Sequence, residues 1–292
     1  MSDPNASAKP ALSSTTLPLP ACPICSGQRR EIFQARILNK YNVRYFFCDS
    51  CGLLQTEEPY WLEEAYRSAI ADADTGLISR NLDIARKLSS LLYFCFDPQD
   101  HYAEFAGGYG LLTRLMRDRG FDFHWYDPYC KNIFARGFEW DQLEGKIPSR
   151  AVTAFEVIEH VLNPVTFLSN AIARAQTSTV IFSTFLYEGE PPLPEKWWYY
   201  SLSSGQHISF FRRQTLLKLA EQLGLHLHSN GWFHVMTTER MHQAAFRFCT
   251  GKMARLSDAY VKLRLPSKTF DDHQQIANRP HSGTDQGGKD LR

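Results

Sequence analysis

Between residues 101 and 248, short strand-like runs alternate with amphipathic helical runs, and few folds accommodate that order. "HYAEF" (101–105), "FDFHWYD" (121–127), "AVTAFEV" (151–157) and "STVIFSTF" (178–185) read as strands. "LLTRLMRDRG" (111–120), a segment opening at Asn163-Pro164, and "RQTLLKLAEQLG" (213–224) read as helices, the first and third ending in glycine. Strands joined by helices imply a parallel sheet covered on its faces. The series closes differently. "LHLHSNGWFHVMTT" (225–238) holds two alternating runs around Asn230-Gly231, the signature of an antiparallel hairpin.

The first strand-to-helix turn is rich in glycine: Ala106, Gly107, Gly108, Tyr109, Gly110. Such a turn lets backbone approach a ligand at the carboxyl end of a parallel sheet. It is neither a dinucleotide fingerprint nor a phosphate loop, because the G-x-G-x-x-G spacing and the Gly-Lys-Ser/Thr ending are both missing. Glu104 stands before the turn, where an acid suits a ligand with a positive group. Asp127, twenty-three residues on at the tip of the next strand, is placed to accept from both hydroxyls of a ribose. A ribose with a cationic end describes S-adenosylmethionine.

"CPIC" (22–25) and "CDSCG" (48–52) form two C-x2-C pairs with 22 residues between them. Cys22, Cys25, Cys48 and Cys51 therefore read as a four-thiolate zinc site, closed and structural. Tyr45, Phe46 and Phe47 lead into the second pair as a strand does. The first twenty residues carry no apolar secretory core, and no run approaches the length of a membrane span. The expected location is cytoplasmic, where thiols stay reduced. Lys plus Arg total 32 against 31 for Asp plus Glu, which gives no general pull on nucleic acid.

With these motifs in place, the chain resembles class I S-adenosylmethionine-dependent methyltransferases. "EFAGGYG" matches that family's D/E-x-G-x-G-x-G loop, with Ala106 at the first glycine position. An alanine there requires a φ below zero. "AFEVIEHVLNP" (154–164) is similar to the fourth-strand segment of one large branch. The resemblance implies an α/β, Rossmann-like, seven-stranded sheet with a terminal antiparallel hairpin, preceded by a small zinc ribbon. It also implies cofactor contacts at Glu104, Ala106, Gly107, Gly108, Gly110, Asp127, Phe155 and Glu156.

The order of parts is further similar to the sugar C-methyltransferases: a cysteine module, a helical segment with "AYRS" (65–68), the core, then "GQHISFF" (205–211). That resemblance implies catalytic roles for Tyr66, His160 and His207. The chain departs from it at Gln206, where those enzymes have an acid and a glutamine cannot be a base. It departs again in 266–292, which do not supply a second α/β domain.

The expected organisation is a disordered lead (1–20), a zinc module (21–60), a methyltransferase domain with an N-terminal helical segment (61–250), and a C-terminal helix with a disordered tail (251–292). The expected function is methyl transfer to a small-molecule acceptor: a sugar, a sugar nucleotide or a secondary-metabolite intermediate. The alternative is a binding module, in which the zinc ribbon recognises protein or nucleic acid and the methyltransferase fold acts on that macromolecule or serves as a sensor. "EKWWYYSLSSGQH" (195–207) reads either as an aromatic wall over the acceptor or as cover for the sheet edge.

Overall fold

The computed structural model describes residues 21–67, 74–143 and 145–279; the expected lead (1–20) and the end of the expected tail (280–292) lie outside them. Ten strands and eight helices are formed among the described residues. Three strands open the chain: β1 (Arg29–Ile37), β2 (Tyr41–Cys48) and β3 (Leu54–Thr56). A short α1 (Leu62–Ala65) and a long α2 (Leu77–Cys95) follow.

The alternating region then runs β4 (His101–Phe105), α3 (Leu111–Arg117), β5 (Asp122–Tyr126), β6 (Ala151–Ala154), α4 (Pro164–Ala175), β7 (Thr179–Ser183), β8 (Ser209–Phe210), α5 (Arg213–Gln222), β9 (His226–Ser229) and β10 (Phe233–Thr237). Asn163 caps α4 by accepting from the Thr166 amide, and Pro164 fills the first helical position.

The large sheet has the order β5-β4-β6-β7-β10-β9. The first four strands are parallel, and β10 and β9 are antiparallel, as the Asn230-Gly231 signal anticipates. Strand order reverses between β4 and β6, so their carboxyl ends flank the crevice where α/β sheets take ligands.

This sheet has six strands rather than the expected seven. Beside β5, where an outer strand would lie, residue Glu139 makes one isolated parallel bridge to Trp125. Side chains hold the intervening loop instead. Asn132 donates to the carbonyl of Ala135 and accepts from its amide, and Glu139 accepts from the amide of Gly137. Bonds of this kind compete with a strand ladder.

The N-terminal strands form a second sheet, β1-β2-β3-β8. Its last strand is contributed from residue 209 onward, so the boundary expected at residue 60 is crossed by a strand. The hydroxyl of Tyr187 donates to the Gly52 carbonyl, and that of Thr215 to the Cys51 carbonyl. Cys22, Ile24, Cys48, Cys51 and Leu53 share a buried cluster with Leu216 and Leu219 of α5.

The C-terminal end also differs from expectation. The C-terminal helix expected within 251–292 is α7 (Ala254–Arg264), and a separate α6 (Gln243–Thr250) precedes it across Gly251. Within 266–292, expected to be unstructured, α8 (Thr269–Ala277) is folded. A buried ion pair holds it: Arg117 donates from Nε and Nη2 to the two oxygens of Asp272, both at 2.8 Å, and each side chain is only 4% exposed. Arg114 pairs with the same carboxylate at 2.8 Å, and a helix anchored by ion pairs leaves no apolar period to read. Asp272→Ala is expected to cost about 1–3 kcal/mol, because Arg117 loses one buried carboxylate and keeps Asp122 at 2.6 Å; urea unfolding of the variant measures it.

Candidate functional site

The glycine loop leaves β4 at the crevice. Glu104 is buried, accepts a hydrogen bond from the Thr113 hydroxyl at the start of α3, and is pushed up to about 7 by that burial. Gly107 has no room for a side chain, since a Cβ would lie 2.7 Å from the indole of Trp125. At Gly108, with φ +53, a Cβ would meet nothing within 4 Å, so this backbone faces open space. Gly110, with φ +83, starts α3. Asp127 ties the loop together, accepting from the amide of Gly108 at 2.9 Å and from those of Tyr129 and Cys130 at 2.8 and 3.0 Å.

Ala106 corrects one expectation. Its φ is +53, in the left-handed region, where a glycine would be unstrained and an alanine is not. Glu156, the second residue past β6 on the other side of the crevice, is also left-handed, with φ +56. Its carboxylate accepts from the Ser183 hydroxyl at 2.5 Å and faces Arg80 of α2 at 3.1 Å. Phe155 packs on Phe233, with ring centroids 5.3 Å apart.

The three residues expected to be catalytic come together. His160 ends a short 3-10 turn (158–160) after β6. Its Nδ1 lies 3.0 Å from the Gln206 carbonyl oxygen and 2.9 Å from the Tyr66 hydroxyl. A carbonyl only accepts, so Nδ1 carries the proton and Nε2 the lone pair. His207 is arranged in the same way: Nδ1 is 2.7 Å from the carbonyl oxygen of Tyr199, which leaves Nε2 as its lone pair. The two rings meet edge to face at 4.7 Å. Burial holds both imidazoles neutral, His160 down to about 4 and His207 down to about 3.

Gln206 occupies its position for a structural reason. Its side-chain amide donates to the Ala65 carbonyl at 2.9 Å and fixes the end of α1, which carries Tyr66. The acid of the site is Glu159, fully buried and pushed up to about 8 by burial and by the charge of Glu156. It accepts from the Tyr199 hydroxyl at 2.7 Å, while its other oxygen has no hydrogen-bond partner. Sequence reasoning names Glu159 only as a neighbour of His160 and Tyr199 only as one of four aromatics. No spacing links residues forty apart.

Tyr199 and Tyr200 are buried in the core under the N-terminal sheet, whereas Trp198 is 73% exposed.

The four cysteines also converge, with Cys22 and Cys51 sulfurs 3.5 Å apart and Cys25 and Cys48 sulfurs 3.4 Å apart. All four lie within 4.8 Å of one another. These separations are far beyond the ~2.05 Å of a disulfide. They approach the ~3.8 Å edge of a tetrahedron built on Zn–S bonds of about 2.3 Å, so the set fits a thiolate-bound ion. Ser26 rather than Gly27 takes the left-handed conformation in the first knuckle, and Gly52 does so in the second.

A methyltransferase-domain family model matches residues 79–230. No curated protein matches the chain. Among solved structures, TnmH is 18% identical with a TM-score of 0.42, over 62% of each chain. CalO1, a methyltransferase in calicheamicin biosynthesis solved in its SAH-bound form, is 14% identical with a TM-score of 0.42, over 61% of each chain. The chain thus spans about three fifths of the length of these two. The Burkholderia thailandensis 1,6-didemethyltoxoflavin-N1-methyltransferase, with its substrate and S-adenosylhomocysteine bound, is 14% identical with a TM-score of 0.43, over 67% of this chain and 94% of that one.

Two predictions follow from the loop. Ala106→Gly relieves a left-handed alanine and is expected to stabilise the protein by up to about 1 kcal/mol, read from the urea midpoint. A cationic ligand beside Glu104 favours the ionised carboxylate. Its affinity is therefore expected to fall as pH drops below about 7, with a proton released on binding that makes the calorimetric heat depend on the buffer's ionisation enthalpy. Glu104→Gln should remove both effects.

Proposed function

This chain belongs to the methyltransferase-domain family; we propose that it is an S-adenosylmethionine-dependent methyltransferase whose acceptor is a small molecule held at the Tyr66, His160 and His207 group. The observation that carries this reading is the convergence of those three side chains, far apart in sequence, at the carboxyl end of β6. Both imidazoles are part-buried and Tyr66 stands against one of them, which favours a compact molecule over a macromolecular surface. A sugar, a sugar nucleotide or a secondary-metabolite intermediate is the class that fits.

On this proposal the cofactor lies along Glu104, Ala106, Gly107, Gly108, Gly110 and Asp127, bordered by Phe155 and Glu156. Glu104 faces its cationic end and Asp127 its ribose. The acceptor atom attacks the sulfonium methyl in line. As the new bond forms, the sulfur–methyl bond breaks and its electron pair returns to sulfur. The acceptor's proton leaves through the Tyr66, His160 and His207 group. Holding the two partners in line and close supplies much of the rate.

A structural zinc on Cys22, Cys25, Cys48 and Cys51 belongs to the same proposal. So do a cytoplasmic location and the division into a zinc module (21–60), a methyltransferase domain (61–250) and a C-terminal segment (251–292), with β8 lent by the second unit to the sheet of the first. The zinc is given the role of holding two knuckles against α5.

Calorimetry with S-adenosylhomocysteine tests the cofactor side; an absence of binding heat at several temperatures would overturn it. For the acceptor side, His160→Ala and His207→Ala are expected to lower turnover about a hundred- to ten-thousandfold on an accepted substrate. Their affinity for S-adenosylhomocysteine should match wild type. Elemental analysis should find one zinc per chain, and Cys51→Ser should lose it together with thermal stability.

A further inference from the structure

We propose that Glu159, His160 and His207 form a second metal site, a two-histidine, one-carboxylate set for a divalent transition-metal ion, distinct from the four cysteines. One donor atom of each of the three lies within 4.8 Å of the other two, yet no hydrogen bond joins any two of these side chains.

Both imidazoles give their Nδ1–H to a backbone carbonyl, Gln206 for one and Tyr199 for the other. That arrangement fixes the tautomer that leaves Nε2 free to ligate, and it is the outer-shell bond that metal-bound histidines make. Glu159 is fully buried. One of its oxygens is engaged by Tyr199 and the other has no partner. A buried carboxylate oxygen with nothing to accept is costly, and a cation satisfies it.

Arg80 is the guanidinium of this pocket. It pairs with Asp74 at 2.7 Å and with Glu156 at 3.1 Å, so its hydrogen-bonding face is turned to those two carboxylates and the second oxygen of Glu159 receives no donor from it. Two imidazoles and one carboxylate suit manganese, iron, cobalt or zinc better than calcium or magnesium.

This inference deepens the acceptor reading and rests on it. With an ion held by both Nε2 atoms the imidazoles would take no proton; an acceptor oxygen would bind as a further ligand, its O–H would become more acidic, and its proton would pass to solvent instead of to a histidine. No oxidation or reduction is involved.

Manganese(II) is the probe, because it favours oxygen and nitrogen ligands over the four thiolates. Full-length protein carrying one zinc per chain, the count that fills the four thiolates alone, is freed of excess metal and titrated with Mn(II), and bound ion is read by electron paramagnetic resonance. One ion per chain is expected, with pulsed spectra showing coupling to two imidazole nitrogens. Glu159→Gln, which preserves the acceptor for the Tyr199 hydroxyl, and His207→Ala are expected to weaken binding about tenfold or more. S-adenosylhomocysteine binding and cysteine-bound zinc should not change in either variant.

If wild type binds no Mn(II), binds it without imidazole coupling, or loses nothing in the two variants, the proposal is wrong. Should a variant not fold, as judged by loss of S-adenosylhomocysteine binding, the wild-type stoichiometry and nitrogen coupling decide alone. Absence of S-adenosylhomocysteine binding in wild type would overturn the cofactor reading and leave the metal result independent of it.

Discussion

The hydrogen bond from the buried Tyr199 hydroxyl to Glu159 joins the two sides of the proposed acceptor site. Glu159 sits just past β6, and Tyr199 lies in the long connection after β7. Once the two are tied, the Tyr199 carbonyl receives the Nδ1–H of His207, and the Ile208 amide donates to the Glu159 carbonyl at 2.8 Å. The chain then enters β8 and completes the N-terminal sheet. The cysteine module and the catalytic face are thus held by one stretch, residues 199–210. Loss of the Tyr199 hydroxyl would leave both oxygens of the buried Glu159 side chain without a hydrogen-bond partner.

The cofactor side is built on strain and burial. Two residues other than glycine, Ala106 after β4 and Glu156 after β6, hold left-handed backbone on opposite sides of the crevice. Strain of this kind persists where surrounding bonds over-determine it. Glu156 is pinned by Ser183 and Arg80, and the turn after Ala106 by the bonds from the Gly108, Tyr129 and Cys130 amides to Asp127. Glu104 is buried close enough to Asp127 for that charge to raise its pKa further. A pocket with two such acids gains from a cationic ligand.

What could be read from sequence follows from whether the signal is local. The parallel strands, the hairpin at Asn230-Gly231 and the glycine turn each announce themselves within a dozen residues, and each stands where expected. Tyr66, His160 and His207 were reached through a family resemblance, and they meet. The strand β8, the Glu159–Tyr199 bond and the Arg117–Asp272 anchor of α8 were not legible, because each depends on residues 40 or more positions apart brought together by folding. Ala106 was misjudged for a related reason: a one-letter code does not carry φ. The missing outer strand beside β5 reflects Asn132 and Glu139 bonding to nearby backbone, a choice that hydrophobic patterning does not record.

The most direct test of the central claim is a crystal structure with S-adenosylhomocysteine bound. The ribose hydroxyls should lie within hydrogen-bond distance of Asp127, the amino group toward Glu104, and the sulfur toward Nε2 of His160 and His207. Nucleoside bound elsewhere in the molecule, or a sulfur facing away from the two histidines, would contradict it.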